Sequence, residues 1–238
     1  MKRFRADLHI HTCLSPCAQL DMTPQTVVRE AVRARLDIIA VCDHNSGENV
    51  PAVRRLARAA GIAAIPGMEI TSREEVHVLA LFEHARELAA MQRQVYAHLP
   101  DRGEAKGSGP QLVVNERDEV VRFNRKLLAG AVSFSLEDTV DRIHSLGGIA
   151  IASHVDREGF GIIGQLGFIP PGLPLDGLEI AFGDPSVVGA TSLPFVTSSD
   201  AHQPDLVGSK FTTFYLEAPV FREIKEALAG RGGRRASL

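Results

Sequence analysis

Short apolar runs alternate with longer amphipathic segments along most of this chain. The run DIIAVC is too short for a helix and apolar almost throughout, which is typical of a strand buried on both faces of a sheet. The segment before it places Val27, Val28, Ala31 and Val32 on one face of a helix. This alternation predicts an α/β fold with a parallel sheet.

Capping residues and glycines mark the ends of the predicted helices. Thr23 is a suitable N-cap before Pro24, and this helix is expected to end near Leu36. Ser135 and Asp138 have the spacing of a capping box. Further helices are predicted before Gly61, over 84–99, before Gly147 and over 219–228. Strands are predicted within 6–12, 37–42, 62–70, 74–82, 148–154, 176–182, 193–199 and 210–217.

The segment 101–130 interrupts this alternation. Residues 101–109 are rich in glycine and charge, which predicts an exposed loop. The stretch that follows reads either as two short strands around a polar turn or as a helix from Asp118 onward. We interpret 1–230 as a single domain with an insertion at 101–130, followed by a flexible tail at 231–238.

Composition limits the classes of function. The chain has 238 residues, of which 45% are hydrophobic and 23% charged, so it can bury a large core and is not a disordered chain. No apolar run approaches the roughly 20 residues of a membrane span. The net charge of −3 gives no general attraction to nucleic acid. With no signal peptide, we expect a cytoplasmic protein whose cysteines are reduced.

Side chains that can bind metals follow most of the predicted strands. In a barrel of parallel strands the carboxyl ends meet at one mouth, so distant residues become neighbours there. Taken alone, each of these side chains has a simpler explanation. Asp43 could cap a helix or turn, and Glu69 could pair with Arg73. His77 and His154 could each be a hydrogen-bonded histidine of the core. Together they predict a shared site, and the residues are His9, His11, Asp43, His44, Glu69, His77, His154, Asp200 and His202.

Imidazoles and carboxylates in this number suit two or three divalent ions such as zinc, manganese or iron. Such a centre favours hydrolysis of a phosphoester by a hydroxide that bridges the metals. Arg73 and Arg157 are candidates to bind phosphate, although either could form a surface ion pair. The leaving group would be protonated by Asp200, His202 or a metal-bound water, and Asp43 would orient a ligand. His84, His98 and His144 are assigned to surface or capping roles.

The motifs DLHIHT, DHN, GMEI and SDAH, with His77 and His154, occur in the order found in the PHP (polymerase and histidinol phosphatase) family. The chain resembles that family from about Asp7 to Gly208. The resemblance implies a distorted (β/α)7 barrel with a trinuclear metal centre. By position, the first ion would be held by His9, His11, Glu69 and Asp200, the second by His44 and His202, and the third by Glu69, His77 and His154.

One ligand departs from the family pattern. Members commonly have a further histidine or aspartate shortly after the H-x-H pair, whereas this chain reads TCLSPC there. Cys17 has the spacing of the histidine variant. Either Cys17 is a metal ligand, which would favour zinc or iron because sulfur is a soft donor, or the second site is weakly occupied.

The function expected from these residues is hydrolysis of a small phosphomonoester or a nucleotide phosphate. One alternative is a 3′-5′ exonuclease-like phosphodiesterase on nucleic acid ends, which the aromatic content of 5% disfavours. The other alternative is a non-catalytic metal-bound module. A membrane partner is not expected.

Overall fold

A computed structural model describes residues 1–101, 109–183 and 185–238. Most of the loop predicted at 101–109 therefore lies outside the described residues. The strands are β1 (Lys2–Ile10), β2 (Ile38–Val41), β3 (Ala63–Thr71), β4 (His77–Leu81), β5 (Leu112–Val114), β6 (Val120–Phe123), β7 (Ile149–Ala152), β8 (Gly177–Glu179), β9 (Phe195–Val196), β10 (Thr212–Leu216) and β11 (Arg235–Ser237). The α-helices are α1 (Pro24–Arg33), α2 (Val50–Ala59), α3 (Ala85–His98), α4 (Leu136–Ser145), α5 (Ile162–Leu166) and α6 (Phe221–Leu228).

Nine of these strands form a nearly closed, barrel-shaped sheet in the order β11-β10-β1-β2-β3-β4-β7-β8-β9. The segment after β9 returns to β1, where the His11 amide donates to the Ala201 carbonyl at 3.0 Å. The predicted α/β barrel is confirmed. Because the sheet curls back on itself, residues near both ends of the sequence meet at the same place.

The strands are not all parallel, contrary to the simple barrel expected from the sequence. β4 runs antiparallel to both β3 and β7, and β10 runs antiparallel to β1. β3 and β4 form a hairpin in which Thr71 pairs with His77. The first residue of β4 therefore lies beside the last residue of β3, at the same end of the barrel as the carboxyl ends of the parallel strands.

Local sequence explains where the helices begin and end. The Thr23 side chain accepts a hydrogen bond from the Thr26 amide, and Ser135 with Asp138 forms the predicted capping box at α4. α1 ends at Arg33, slightly before the predicted Leu36. Among the described residues, no helix has the length and apolar character needed to cross a bilayer.

Both faces of the central strands are buried. Leu8, Ala40 and Ile151 belong to one apolar cluster, which α6 extends. Ile39 and Val78 belong to a second cluster that includes residues of α1 to α4. Burial on both faces explains why the strands read as nearly continuous apolar runs.

The predicted insertion contains an antiparallel hairpin of β5 and β6, so the reading of two short strands is confirmed over the helical one. Asn49, at the start of α2, holds it. Its side-chain amide donates to the Leu112 carbonyl at 3.0 Å, and its Oδ1 accepts from the Val114 amide at 2.9 Å. The hairpin is thereby fixed against the loop that follows β2.

The prediction of a flexible tail at 231–238 is wrong for Arg235–Ser237, which form β11. β11 pairs antiparallel with β10, where Arg235 lies opposite Tyr215 and Ser237 lies opposite Thr213. The Arg235 guanidinium also lies 3.8 Å above the centre of the Tyr215 ring. These contacts turn a polar, glycine-flanked segment into an edge strand of the barrel.

Candidate metal centre

Every metal ligand predicted from the sequence lies at one end of the barrel. The positions are supplied by the ends of β1 and β3, the start of β4 and the loops that follow β1, β2, β7 and β9. The residues are His9, His11, Cys17, His44, Glu69, His77, His154, Asp200 and His202. The structure thus brings together the side chains that the motifs placed far apart in sequence.

The group predicted to hold the first ion is assembled around His9 of β1 and His11, which directly follows that strand. Nε2 of His9 and Nε2 of His11 lie 3.0 Å apart. Oδ1 of Asp200 lies 3.3 Å from the first of these nitrogens and 3.2 Å from the second. Oε1 of Glu69 lies 3.3 Å from Nε2 of His9.

These separations are those of ligands around one cation. Two donor atoms about 2.1 Å from a single ion are about 3.0 Å apart at a right angle and about 3.4 Å apart at the tetrahedral angle. Both carboxylate oxygens of Glu69 and Oδ1 of Asp200 are buried, with no hydrogen-bond partner among the described residues. Unpaired buried carboxylate oxygens are costly, so these residues fit a metal ion.

Glu69 also faces a second pair of histidines. Its Oε1 lies 3.0 Å from Nδ1 of His77 and 3.3 Å from Nε2 of His154. The Nδ1 atom of His77 is buried and, within the described ranges, makes no hydrogen bond. One carboxylate therefore lies between two groups of nitrogen donors, and its role as a bridging ligand stays a prediction.

The remaining group contains sulfur. Sγ of Cys17 lies 3.2 Å from Nε2 of His44 and 3.1 Å from Nε2 of His202. The other ring nitrogen of His44 lies 3.0 Å from Oε2 of Glu69, which joins this group to the rest of the centre. Burial alone would raise the pKa of the Cys17 thiol, but hydrogen bonds to the two histidines lower it to about 6.

Two ring orientations are fixed by acceptors behind the centre. His9 donates from Nδ1 to Oε2 of Glu179 at 2.9 Å, and His202 donates from Nδ1 to the Asp200 carbonyl at 2.8 Å. In each ring the Nε2 atom then faces the other ligands. Hydrogen bonds of this kind orient metal-binding imidazoles and make them better donors.

A third ring is fixed by a longer relay. His11 donates from Nδ1 to Oγ of Ser15 at 2.9 Å, and that hydroxyl donates to Oδ1 of Asp43 at 2.7 Å. Thr12 donates to the same carboxylate from its amide and its hydroxyl, each at 2.7 Å. Asp43 is fully buried by these contacts. It therefore orients a ligand, as the sequence suggested, and does not line the pocket.

The charges of the centre favour a cation. Burial lowers the pKa of His9, but Glu179, Asp200 and Glu69 outweigh burial and raise that pKa well above its usual value. Burial raises the pKa of Glu69, but His77 and His9 outweigh it and lower that pKa well below its usual range. Glu69 thus remains charged, and a cation between it and the histidines would supply the positive charge that these rings now provide.

The two predicted phosphate-binding arginines have different positions. Arg157 lines the pocket above the ligands, and its Nη2 lies 2.9 Å from Oδ2 of Asp200. Arg73 is not brought to this pocket, because it lies on the exposed turn between β3 and β4, where its Nη2 contacts Glu74 at 3.1 Å. Of the two, Arg157 alone is among the residues that line this pocket, and its role in binding phosphate stays a prediction.

The pocket above the ligands has a volume of about 260 Å³. Phe160 forms part of its wall, and its ring stacks on His77 with 4.5 Å between the ring centres. That ring is 42% exposed. A polar floor, one arginine and one accessible aromatic ring are thus combined in a small opening.

Sequence reasoning missed Glu179 and Ser15. Glu179 ends β8 within an apolar run, which is the same signal that identified Glu69, and it is 1% exposed. Ser15 gave no such signal, because its role depends on lying between His11 and Asp43. Both residues hold ligands in place and do not face the pocket.

The histidines assigned to other roles lie away from the centre. His144 contacts Asp176 at 2.8 Å, and His98 donates to the Gln94 carbonyl at 2.9 Å. His84 is the N-cap residue of α3 but makes no side-chain capping bond. The nine histidines of the sequence thus divide into six in the centre and three outside it.

A family model described as the PHP domain matches residues 7–157, which is more than half of the chain. The chain belongs to the PHP family. Members of this family are metal-dependent phosphoesterases. The matched residues include His9, Cys17, Glu69 and His154, and the ligands after β9 lie beyond the match.

Among curated proteins, the PHP chain is similar to the 5'-3' exoribonuclease Rnm of Salmonella typhimurium. The two are 26% identical over 194 residues, which covers 63% of this chain and 65% of that protein. The chain therefore spans less than two thirds of this relative's length.

Two solved structures of an endonuclease have the same fold. Endonuclease Q of Pyrococcus furiosus matches with a TM-score of 0.69 and 18% identity, over 100% of this chain and 58% of that one. An endonuclease Q complex with a 27-mer duplex that carries an abasic lesion matches with a TM-score of 0.67 and 18% identity, over 98% of this chain and 58% of that one. At this identity the similarity establishes the fold alone.

Proposed function

We propose that this PHP domain is a phosphodiesterase that removes nucleotides from the 5′ end of single-stranded RNA, with two or three divalent ions held by its ligands. The observation that carries the proposal is the pocket of about 260 Å³ in which Arg157 and Phe160 stand above the ligand cluster. Pockets for drug-sized ligands usually span about 300–1,000 Å³. This pocket lies just below that range, so its size suits one terminal nucleotide rather than a longer segment.

The walls of the pocket suit a nucleotide better than a bare phosphate. The exposed ring of Phe160 can stack on a base, an interaction that contributes roughly 1–3 kcal/mol per base in proteins that bind single strands. The low aromatic content of the chain argued against nucleic acid, but one of its few aromatic rings stands at the pocket wall. A small phosphomonoester would leave this ring unused.

The relatives support the same substrate class. The curated relative is named a 5'-3' exoribonuclease, and the endonuclease Q complex contains a DNA duplex. These names favour the nucleic acid alternative over the small phosphomonoester expected first from the sequence. We adopt the polarity in the relative's name in place of the 3′-5′ direction of that alternative.

Bound divalent ions would polarise the phosphate, neutralise its charge and make a water molecule more acidic. His9, His11, Glu69 and Asp200 would hold one ion, and Glu69, His77 and His154 would hold another. Zinc, manganese and iron all suit these nitrogen and oxygen donors.

Other side chains act on the substrate directly. Arg157 would donate to the phosphate oxygens, and Phe160 would hold the base. Asp200 faces His9, His11 and Arg157. His202 donates its Nδ1 proton to the Asp200 carbonyl. These contacts occupy both groups, so in this proposal the proton for the leaving oxygen would come from solvent in the open pocket.

The test uses a single-stranded RNA of mixed sequence with a 5′-phosphate, labelled at either end. In Mn²⁺, a 5′ label should be released as a mononucleotide, whereas a 3′ label should remain on a ladder of shortening products. His9→Ala should lower the rate at least 100-fold, because it removes a ligand of the first ion. His84→Ala, which removes an exposed histidine outside the centre, should leave the rate unchanged.

The same preparation is assayed on a panel of aryl phosphates and nucleoside monophosphates. Release of inorganic phosphate from that panel, without shortening of the RNA, would contradict the proposal and restore the phosphomonoesterase interpretation. Equal rates for wild-type protein and His9→Ala would show that the RNA is degraded by a contaminant.

A further inference from the structure

The loop between β1 and α1 brings a cysteine into the ligand cluster. It is fixed at both sides of Cys17, since the Ala18 amide donates to the Ser15 carbonyl at 3.0 Å and the Gln19 amide donates to the His202 carbonyl at 2.9 Å. Cys17 therefore stands beside His202 because of backbone hydrogen bonds. These bonds fix the main chain at Cys17, an exposed residue whose side chain reaches the two histidines.

The atoms around the sulfur are arranged as ligands. Nδ1 of His202 donates to a carbonyl, so its Nε2 lone pair faces Sγ of Cys17. Nε2 of His44 faces the same sulfur from another direction. Without a cation, these contacts require either a thiol, which donates to only one nitrogen, or a thiolate between two protonated rings, whereas a cation between the three atoms satisfies all of them.

We propose that Cys17 completes, with His44 and His202, the second metal position that the family resemblance implies, and that its thiolate makes this position select zinc while the carboxylate-containing positions accept manganese or iron. The proposal rests on the proposed function only in requiring a metal centre, and it holds whatever the phosphate ester is. All three residues line the pocket, so a fourth coordination position is open there. Three protein ligands with one open position is the usual arrangement of catalytic zinc.

The chemistry of the donors supports a centre with two kinds of metal. Thiolate is a soft ligand that prefers zinc or cadmium to manganese. The first position has two carboxylates, Glu69 and Asp200, which suit manganese and iron. His11 also lies beside His44 and His202, with ligand atoms of the three within 4.8 Å of one another, but its Nε2 is shared with the first group and its Nδ1 bonds to Ser15.

The test is a spectroscopic titration of metal-free protein with Co²⁺. A thiolate bound to cobalt produces a charge-transfer band in the near ultraviolet, and we expect one equivalent of such a site in the wild-type protein. Cys17→Ala should lose the band and bind one fewer equivalent of metal. The matched control Cys13→Ala removes a fully buried cysteine whose Sγ makes only weak contacts with a carbonyl and an amide, and it should keep the band.

Cys17→His removes the sulfur but keeps a metal-binding side chain, so it tests the effect of the thiolate apart from that of the metal position. This variant should bind the same number of ions as the wild-type protein, lose the band, and discriminate at least 10-fold less between Cd²⁺ and Mn²⁺ in competition. If the wild-type protein shows no charge-transfer band, or if Cys17→Ala retains it, the proposal is wrong. Neither measurement uses a substrate, so a failure of the RNA assay would leave this result intact.

Discussion

Glu179 shows how much of the centre depends on a residue that does not face the pocket. Its Oε2 accepts from Nδ1 of His9 at 2.9 Å and also from the His154 amide at 3.1 Å. One carboxylate thus positions ligands of both groups that share Glu69. We expect its charge and geometry to matter for metal affinity although it is not itself a ligand.

Glu179→Gln should weaken metal binding by about 10- to 100-fold, the usual effect of losing a hydrogen-bond partner behind a ligand. A calorimetric titration of the metal-free protein measures this affinity. Glu137→Gln, an exposed change in the first turn of α4, is the matched control and should bind metal normally. Unchanged affinity in Glu179→Gln would show that the His9 ring is fixed by its packing alone.

The ligands could be predicted from the sequence because charged or imidazole groups at the ends of apolar strands need partners. The supporting residues could not be predicted equally well. Ser15 lies between a ring on one strand and a carboxylate after the next, a relation visible only once the chain is folded. Sequence could not place Arg73 for the same reason. It is close to Glu69 along the chain, but the turn between β3 and β4 directs it away from the pocket.

The strands and helices were largely predictable, but their directions were not. The apolar run of β4 reads the same for a parallel and an antiparallel strand, and only the short turn after β3 indicates a hairpin. The antiparallel direction is what places His77 at the mouth, because the residue begins its strand. β11 was missed because three residues among glycines and arginines give no periodic signal.

Removal of residues 235–238 should therefore destabilise the protein. The truncation deletes the pairing of β11 with β10 and the contact of Arg235 with Tyr215. Since a backbone hydrogen bond contributes a net of roughly 1 kcal/mol, we expect a loss of about 2 kcal/mol in the free energy of unfolding in urea. Deletion of Leu238 alone, which is exposed, is the control. Equal stability of the two truncated proteins would show that β11 contributes little.

The metal centre links strands from all around the barrel, so metal binding and folding should be coupled. A ligand that binds only the folded state stabilises it by RT ln(1 + [L]/Kd), about 2.7 kcal/mol at 100 times Kd. Chelator-treated protein should melt at a lower temperature, and added Zn²⁺ or Mn²⁺ should raise that temperature progressively. His9→Ala should respond less at every concentration.

Scanning calorimetry with and without metal provides the measurement. An identical melting temperature in chelator and in saturating metal would contradict a centre built from these ligands. A rise that is equal in the wild-type protein and in His9→Ala would indicate binding elsewhere on the surface.

The contact of Cys17 with His202 joins residues 185 positions apart. A ribosome therefore completes nearly the entire domain before the last donors, Asp200 and His202, become available to the first. The complete set of donors is therefore available to ions only once Asp200 and His202 have been synthesised and the barrel has closed around them.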